Sequence, residues 1–331
     1  MKKYIVLSIC AIVVLVLIQG GNKVSAKNIA AAAAATATAT VTEAVSHAFG
    51  NETKVTITGY DGDSMEPFIS KDGQYLFWNS LNDGQHTSLY YAKKIATTTF
   101  QFLGEVKGVN GTVPHLDGVA SMDKNNNFYW VSLRDYPKVF ENLQHGTFKN
   151  GVVSGVAPVQ GDIYKKEVGW IIMDAEISGD GKSLYYVDAQ FNGGQVPVQA
   201  DISLAHKVGT GFVTGFAKDI RSSDLLKNIN TPELEYAPST SENGLEILFT
   251  RLSGTTTSIH RSTRNSINDI FGVPELLPVV GNLPEGTTIS SDGTTIYYHK
   301  KDGNYYRIYS MKRNILRPGM PTNTPIRSTA Y

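Results

Sequence analysis

The sequence predicts an all-β fold in which one four-stranded sheet is repeated five times. The first observation is a recurring phrase, since Glu66 to Trp78 returns as Asp174 to Tyr186 and again as Glu285 to Tyr298. The second is a pair of degenerate copies, at Asp117 to Val131 and Glu235 to Phe249, which completes a series with a period of 50 to 61 residues. Each unit is too small to bury its own apolar face, so neighbouring units must pack on one another.

The centre of the phrase is a tight turn between two strands. The pattern Ser-x-Asp-Gly begins at Ser70, Ser178 and Ser290. Ser and Asp side chains accept hydrogen bonds from turn amides, and the glycine supplies a positive φ that other residues reach only at a cost. We therefore expect these residues to serve folding rather than chemistry.

Each turn joins an inner strand A to a nearly continuous apolar strand B. Aromatic pairs such as Phe77-Trp78 and Tyr297-Tyr298 are typical of strands covered on both faces by neighbouring sheets. Polar hairpins lead from strand B to strands C and D, which complete each sheet. The predicted B strands are Tyr75 to Asn79, Phe128 to Leu133, Leu184 to Asp188, Ile247 to Arg251 and Thr295 to His299.

The fifth unit lacks an outer strand of its own, because the sequence after Met311 becomes polar and rich in proline. The segment Lys54 to Thr58 precedes the first strand A and has no other partner. If this segment completes the last sheet, both free edges are satisfied, and the sheets close into a five-bladed β-propeller. A six-bladed ring is the alternative, with decayed repeats in the long stretches 161–173 and 219–233.

The two ends of the chain differ from the repeats in composition. Residues 1–26 combine Lys2 and Lys3 with an apolar run and a small-residue exit at Ala26. This pattern predicts a cleaved signal peptide and a periplasmic or secreted protein, and a retained membrane anchor is the alternative. Residues 27–52, rich in Ala and Thr, predict a flexible spacer, 53–313 the propeller, and 314–331 a disordered tail.

Composition excludes several kinds of site. Cys10, the only cysteine, lies in the apolar run, so the cleaved chain can form neither disulfides nor thiolate metal sites. The 30 basic and 30 acidic side chains leave a net charge of −3 once Lys2, Lys3 and Lys23 are removed. Bulk charge therefore attracts neither nucleic acid nor an anionic membrane. We expect a monomer without a cofactor.

The repeat Glu-Pro-x-Ile-Ser-x-Asp-Gly-x-x-Leu-x-Phe, followed by Leu89-Tyr90 or Ile308-Tyr309, resembles the WD40-like repeat of TolB-type β-propellers, which are exported bacterial proteins. The resemblance covers most of residues 54–313 and is weaker in the second and fourth copies. It implies a radial propeller, in the cell envelope or outside the cell, that serves as a protein-binding platform. Because enzymes and scaffolds share this fold, the resemblance does not fix the function.

Acidic residues at the start of each strand A form the candidate binding site. The innermost strands line the axis, so these carboxylates could gather at one mouth of the channel and attract a cation or a basic segment. The alternative is that each carboxylate caps its own blade by accepting backbone hydrogen bonds. Glu66, Asp117 and Asp174 each lie four residues before a serine, whereas Glu285 lies five residues before Ser290. The five residues are Glu66, Asp117, Asp174, Glu235 and Glu285.

Two weaker candidates stand beside this set. Asp61, Asp63 and Glu66 place three carboxylates within six residues, a calcium-like pattern that stops short of a full binding loop. Trp170 lies in a long loop outside the aromatic pairs and is a candidate for ligand contact. No catalytic residue is assigned. The sequence favours an exported, non-catalytic platform for a protein or an extracellular polymer, and the alternative is a glycan-acting enzyme that uses a carboxyl pair.

Overall fold

The computed structural model describes residues 44–84, 86–111, 115–214 and 222–314. The predicted signal peptide (1–26), the spacer up to residue 43 and the tail from residue 315 lie outside the described residues. Within the described part of the chain, no helix is long and apolar enough to cross a membrane. Among the described residues, the one helix is a single turn, α1 (Ser222–Leu225), and strands dominate the rest.

The chain forms 22 strands in the described residues. In chain order they are β1 (Phe49–Lys54), β2 (Thr56–Thr58), β3 (Met65–Ile69), β4 (Tyr75–Asn79), β5 (His86–Thr87), β6 (Leu89–Ala96), β7 (Thr99–Glu105), β8 (His115–Met122), β9 (Asn127–Ser132), β10 (Leu143–Lys149), β11 (Val152–Pro158), β12 (Trp170–Ile177), β13 (Ser183–Gln190), β14 (Gln199–Val208), β15 (Gly211–Val213), β16 (Leu234–Thr240), β17 (Glu246–Ser253), β18 (Thr256–Thr263), β19 (Glu275–Leu276), β20 (Asn282–Ile289), β21 (Thr295–Asp302) and β22 (Tyr305–Arg313).

These strands make five sheets arranged as the blades of a propeller, as the repeats predict. Strands β3, β8, β12, β16 and β20 are the inner strands of blades one to five, and each contacts the inner strand of the next blade. Strand β20 contacts β3 in turn, so the ring is closed. The A-to-B and C-to-D turns form one face, here called the turn face, and the remaining connections form the opposite loop face.

An amino-terminal strand completes the last blade, but it begins earlier than predicted. Strand β1 (Phe49–Lys54) pairs antiparallel with β22, and β2 (Thr56–Thr58) pairs parallel with β7 in blade one. The Val55 amide between them donates to the Ile308 carbonyl at 2.9 Å. The predicted closing segment, Lys54 to Thr58, thus crosses from blade five to blade one. Residues 49–52, which the predicted spacer included, belong to β1, and the Ser46 amide already donates to the Leu276 carbonyl at 2.7 Å. The segment 49–54 is only six residues long and mostly polar, so no alternation of apolar side chains marks it as a strand.

Apolar side chains fill the space between neighbouring blades. Phe77 on strand B of blade one packs on Phe128 and Phe148 of blade two, with ring centroids 5.2 and 5.1 Å apart. Its neighbour Trp78 points to the other side and joins Tyr297 of blade five in a buried cluster. Each aromatic pair therefore serves two interfaces, and burial of one such ring contributes about 1.5–3 kcal/mol.

Hydrogen bonds between blades tie the inner strands around the axis. Each inner strand has a β-bulge near its middle, and the bulge residue has a positive φ in four blades: Glu66, Val119, Ala237 and Gly286. The amide exposed by each of these four bulges donates to a side chain of the preceding blade, namely His299, Asn79, Asp174 and Thr250 respectively. The bulges thus direct these four amides across blade interfaces instead of along their own sheets.

Candidate functional site

The structure brings three of the five predicted carboxylates close to the propeller axis. Glu66, Asp174 and Glu285 lie on inner strands of blades one, three and five, and all are at most 7% exposed. The Asn79 amide donates to Glu66, the Ala237 amide donates to Asp174 Oδ2 at 3.1 Å, and Glu285 Oε2 lies 4.0 Å from His299 Nε2. They form an acidic cluster inside the ring rather than at an open mouth.

The other two predicted carboxylates do not join this cluster. Asp117 accepts a hydrogen bond from Arg134 Nη2 at 2.7 Å and another from the Gly111 amide. Glu235 accepts from Arg251 Nε at 2.7 Å. The expected ring of five is therefore corrected, and for these two residues the predicted alternative of a local structural role describes the contacts.

Register explains the difference. The first turn residue of blade two is Asp123, whose amide bonds to Asn127 as that of Ser70 bonds to Tyr75. Asp117 thus precedes its turn by six residues rather than by four. Glu235 also precedes its turn residue, Ser241, by six. A shift of two positions along a strand moves a side chain to another level of the axis.

Burial dominates the electrostatics of the acidic cluster. It raises the pKa of Asp174 from 3.8 to about 7, against the Ala237 hydrogen bond that lowers it. Burial also raises the pKa of Glu285 well above its ordinary value; the charges of Glu66 and Asp174 add to this effect, and the Tyr236 hydroxyl offsets part of it. His299 accepts the Glu66 amide at Nδ1, and burial lowers its pKa to about 3, so its ring is neutral at ordinary pH.

The space beside the acidic cluster is small. A cavity of about 30 Å³ on the axis is bordered by inner-strand residues of all five blades. Asp174 Oδ1 and Thr287 Oγ1 face no hydrogen-bond donor or acceptor among the described residues, and both residues border this cavity. The volume corresponds to one or two water molecules. In the described part of the chain, no group of three or more His, Cys, Asp or Glu side chains is arranged to hold a metal ion.

A buried ion pair lies between this cavity and the turn face. Lys71, in the A-to-B turn of blade one, donates to Glu176 Oε1 of blade three at 2.8 Å, and each side chain is 5% exposed. Glu176 Oε2 accepts a second hydrogen bond, from Ser121 of blade two, at 2.8 Å. Three blades therefore meet at one carboxylate beside the axis.

The two weaker candidates have structural contacts as well. Asp63 Oδ1 accepts the Tyr306 amide at 2.7 Å, and the Asp61 carbonyl accepts from Arg307, so this segment holds blade five while Glu66 points to the axis. The calcium-like reading of Asp61, Asp63 and Glu66 is corrected accordingly. Trp170 is the first residue of β12 rather than a loop residue, and Lys165 Nζ lies 5.3 Å from its ring centroid.

A groove on the turn face, called the seam groove here, runs where blades one and five meet. Its volume is about 810 Å³, and its walls include the equivalent turns that begin at Ser70 and Ser290. Ser291 Oγ donates to the Lys71 carbonyl at 2.7 Å, which joins the two turns. The ends of the two C strands add Lys94 and Lys312.

Positive charge predominates along the seam groove. Four cations, Lys71, Lys94, Lys312 and Arg313, line it, against the two turn acids Asp72 and Asp292. The carboxylates that pair with Lys71 and Arg313 are Glu176 and Glu246, and neither of them borders the groove. Among the described residues, neither Lys94 nor Lys312 forms an ion pair.

The two acids of the seam groove serve their own turns. Asp72 Oδ1 accepts from Ser70 Oγ at 2.5 Å and from the Gln74 amide. Asp292 makes the equivalent bonds to Ser290 and Thr294. Partial burial raises the pKa of Asp292, but these hydrogen bonds, together with the charge of Lys94, outweigh it and hold the pKa below its ordinary value. Both carboxylates are thus oriented into the turns.

Sequence reasoning missed the seam groove because its walls, in blades one and five, lie far apart in the sequence although the two blades are neighbours in the ring. One signal was available. Near its end, strand C carries a basic doublet in blade one, Lys93-Lys94, and in blade five, Lys312-Arg313, whereas blades two and three have the single lysines Lys149 and Lys207 there. Ring closure brings the two doublets to one seam.

No protein-family model and no curated protein matches the chain. Similar solved structures include, as the repeats predict, TolB proteins. Putative TolB from Agrobacterium tumefaciens aligns with a TM-score of 0.38 and 15% identity over 60% of this chain and 62% of that chain. TolB from Acinetobacter baumannii gives 0.40 and 14% over 76% and 55%. This chain therefore spans less than two thirds of the length of either TolB structure.

A structure described as a glycoside hydrolase aligns with a TM-score of 0.52 and 9% identity over 84% of this chain and 95% of that chain. A likeness at this identity concerns the fold alone, and it agrees with the strand topology of a five-bladed β-propeller.

Proposed function

We propose that this chain is an exported, non-catalytic binding propeller that holds a protein or an extracellular polymer in the seam groove. The groove itself is the observation that carries the proposal. Its volume of about 810 Å³ lies in the range of ligand sites, and its lining offers hydroxyl, amide and ammonium groups to a polar partner. Export is inferred from the sequence pattern of residues 1–26.

The alternative of a glycan-acting enzyme has less support from the geometry. Glycoside hydrolysis requires two carboxyl groups on either side of a bound sugar, about 5–9.5 Å apart. The carboxylates of the acidic cluster are buried, and the cavity beside them measures about 30 Å³. Small-molecule sites commonly measure about 300–1,000 Å³. A sugar ring therefore does not fit beside these carboxylates.

A steric block tests the proposed site without changing its charge. Thr97 lines the seam groove at the exposed C-to-D turn of blade one, so Thr97→Trp places a large neutral side chain in the groove. Thr255, exposed at the B-to-C turn of blade four on the loop face, provides the matched control Thr255→Trp. The probes are four purified immobilised polymers: polygalacturonate, a neutral β-glucan, poly-glutamate and poly-lysine.

We expect Thr97→Trp to weaken the binding of whichever polymer the wild type retains, about tenfold or more, because the ligand loses its place in the groove. The Thr255→Trp variant retains wild-type affinity. Equal affinity of the wild type and Thr97→Trp would place the binding surface elsewhere. Release of reducing ends from a glycan by the wild type, lost on Asp174→Asn, would establish the enzyme alternative instead.

A further inference from the structure

We infer that the ligand of the seam groove is an acidic polysaccharide, a linear glycan that carries carboxylates, and that Lys94 and Lys312 bind its charges. This inference rests on the proposed function and names its ligand class. The two lysines stand on opposite walls of the groove, one from blade one and one from blade five. A chain lying along the seam therefore meets both.

The charges of the groove favour an anionic ligand. Two of the four lining cations are held by carboxylates outside the groove. Lys94 interacts electrostatically with Asp292, whose carboxylate is already hydrogen-bonded within its own turn, and neither Lys94 nor Lys312 forms an ion pair among the described residues. Lys312 is exposed and Lys94 is half-buried. An ammonium on a flexible stem acts as a point charge, so it can follow single, spaced anionic groups along a chain without the fixed geometry of a guanidinium fork.

The rest of the lining favours a glycan over an acidic protein. Interfaces between proteins usually centre on exposed aromatic or aliphatic anchors. Here the apolar members of the lining, Ile69 and Tyr297, are each 1% exposed and are already packed within the protein. The exposed side chains of Gln74, Thr97 and Asn314 bring polar groups to the groove. Hydroxyl-rich chains can exchange hydrogen bonds with such a surface.

The inference predicts a charge-dependent affinity in the full-length protein. Polygalacturonate is the probe, and its binding is measured by titration calorimetry at low and at physiological salt. Lys94→Gln and Lys312→Gln should each weaken binding about two- to fivefold, and the double variant about tenfold. The affinity of the wild type should fall as salt rises. Lys149→Gln, at the end of strand C in blade two and also exposed, is the matched control and leaves binding unchanged.

The outcomes separate the ligand class from the site. Equal binding of the neutral glucan, or an unchanged affinity of the double lysine variant, would overturn the acidic-glycan inference. If Thr97→Trp still abolishes binding in that case, the groove stands and only the ligand class fails. Tighter binding of poly-glutamate with the same lysine dependence would assign the groove to an acidic protein and would also overturn the inference.

Discussion

Lys71 of blade one and Glu176 of blade three are joined by a 2.8 Å ion pair whose side chains are each only 5% exposed. The two blades are not neighbours in the ring, because blade two stands between them. The bond therefore spans the end of the axis, and Lys71 borders the seam groove while Glu176 borders the axial cavity.

Removing only one partner of this buried ion pair should destabilise the protein strongly. In Lys71→Met, Glu176 is left as a buried carboxylate without its cation, and we expect the free energy of unfolding to fall by about 3–5 kcal/mol. The double variant Lys71→Met with Glu176→Gln should recover much of this loss, because no buried charge remains. Urea denaturation measures both. Lys182→Met, which removes a 3.6 Å surface pair from a lysine that is 77% exposed, should cost under about 0.5 kcal/mol. A similar small cost for Lys71→Met would contradict the assignment.

The raised pKa of Asp174 predicts a pH-dependent penalty. The unfolded chain ionises this carboxyl near pH 3.8 and the folded chain near pH 7. The contribution of protonated Asp174 to the free energy of unfolding is therefore complete below pH 3.8 and is lost as the pH rises through 7. Asp174→Asn removes the charge, so its stability relative to the wild type should increase by about 3 kcal/mol as the pH rises from 5 to 8.

The comparison with Asp174→Asn is necessary because buried histidines act in the other direction. Burial lowers the pKa of His260 and of His299 to about 3, so their contributions are lost as the pH falls below 6.5. The wild type and Asp174→Asn both carry these histidines, so the difference in stability between the two proteins isolates the effect of Asp174. Denaturation midpoints at the two pH values provide the measurement. A difference that does not change with pH would show that Asp174 is ionised equally in the folded and unfolded states.

Closure by β1 predicts a strong dependence on Phe49. This ring is 1% exposed, packs in a cluster with Met311 and Tyr298, and lies 4.4 Å from the Arg313 guanidinium. Phe49→Ala should cost about 3–5 kcal/mol, because it leaves a cavity under the closing strand. Amide exchange in β22 should accelerate as its edge loses β1. Val45→Ala, at a residue 49% exposed, serves as the control and should change neither quantity. Unchanged exchange in β22 of Phe49→Ala would mean that closure does not depend on this ring.

Two glycines, one in an A-to-B turn and one on an inner strand, predict two different losses of stability on substitution by alanine. Gly73 has φ +69° and no atom within 4 Å of an added Cβ, so Gly73→Ala should cost only the backbone strain, about 1–2 kcal/mol. Gly286 has φ +62°, and a Cβ there would lie 3.0 Å from Glu66 Cα and from His299 Nδ1. Gly286→Ala should therefore cost clearly more than Gly73→Ala in urea denaturation. Equal costs would show that the axis has room to adjust.

The repeats were readable from sequence because local chemistry determines them. Each Ser-x-Asp-Gly turn is built from bonds within five residues, such as Ser70 Oγ to Asp72 and to the Tyr75 amide. Strand B was readable for a similar reason, since continuous apolar character is required wherever both faces are covered. These short-range signals fixed five blades and the identity of the inner strands.

The candidate site was harder to predict because distant segments build it. Lys71 and Glu176 are 105 residues apart, and Ser291 reaches Lys71 across 220 residues. The assignment of Asp117 depended on one turn residue, Asp123, that replaces the serine of the other copies. Strand β1 has no apolar alternation, and its pairing comes from the free edge of β22. Such features follow from ring closure, which no local pattern reports.

Closure also places the two ends of the described chain side by side. The Asn314 amide donates to the Ala48 carbonyl at 2.8 Å, and the Asn314 side-chain amide donates to the His47 carbonyl at 2.8 Å. A short linker between residues 48 and 314 would therefore allow circular permutation, with new termini in an exposed connection such as Gly193-Gly194. The last described residue, Asn314, also belongs to the wall of the seam groove, so a loop that joined it to Ala48 would begin beside the groove.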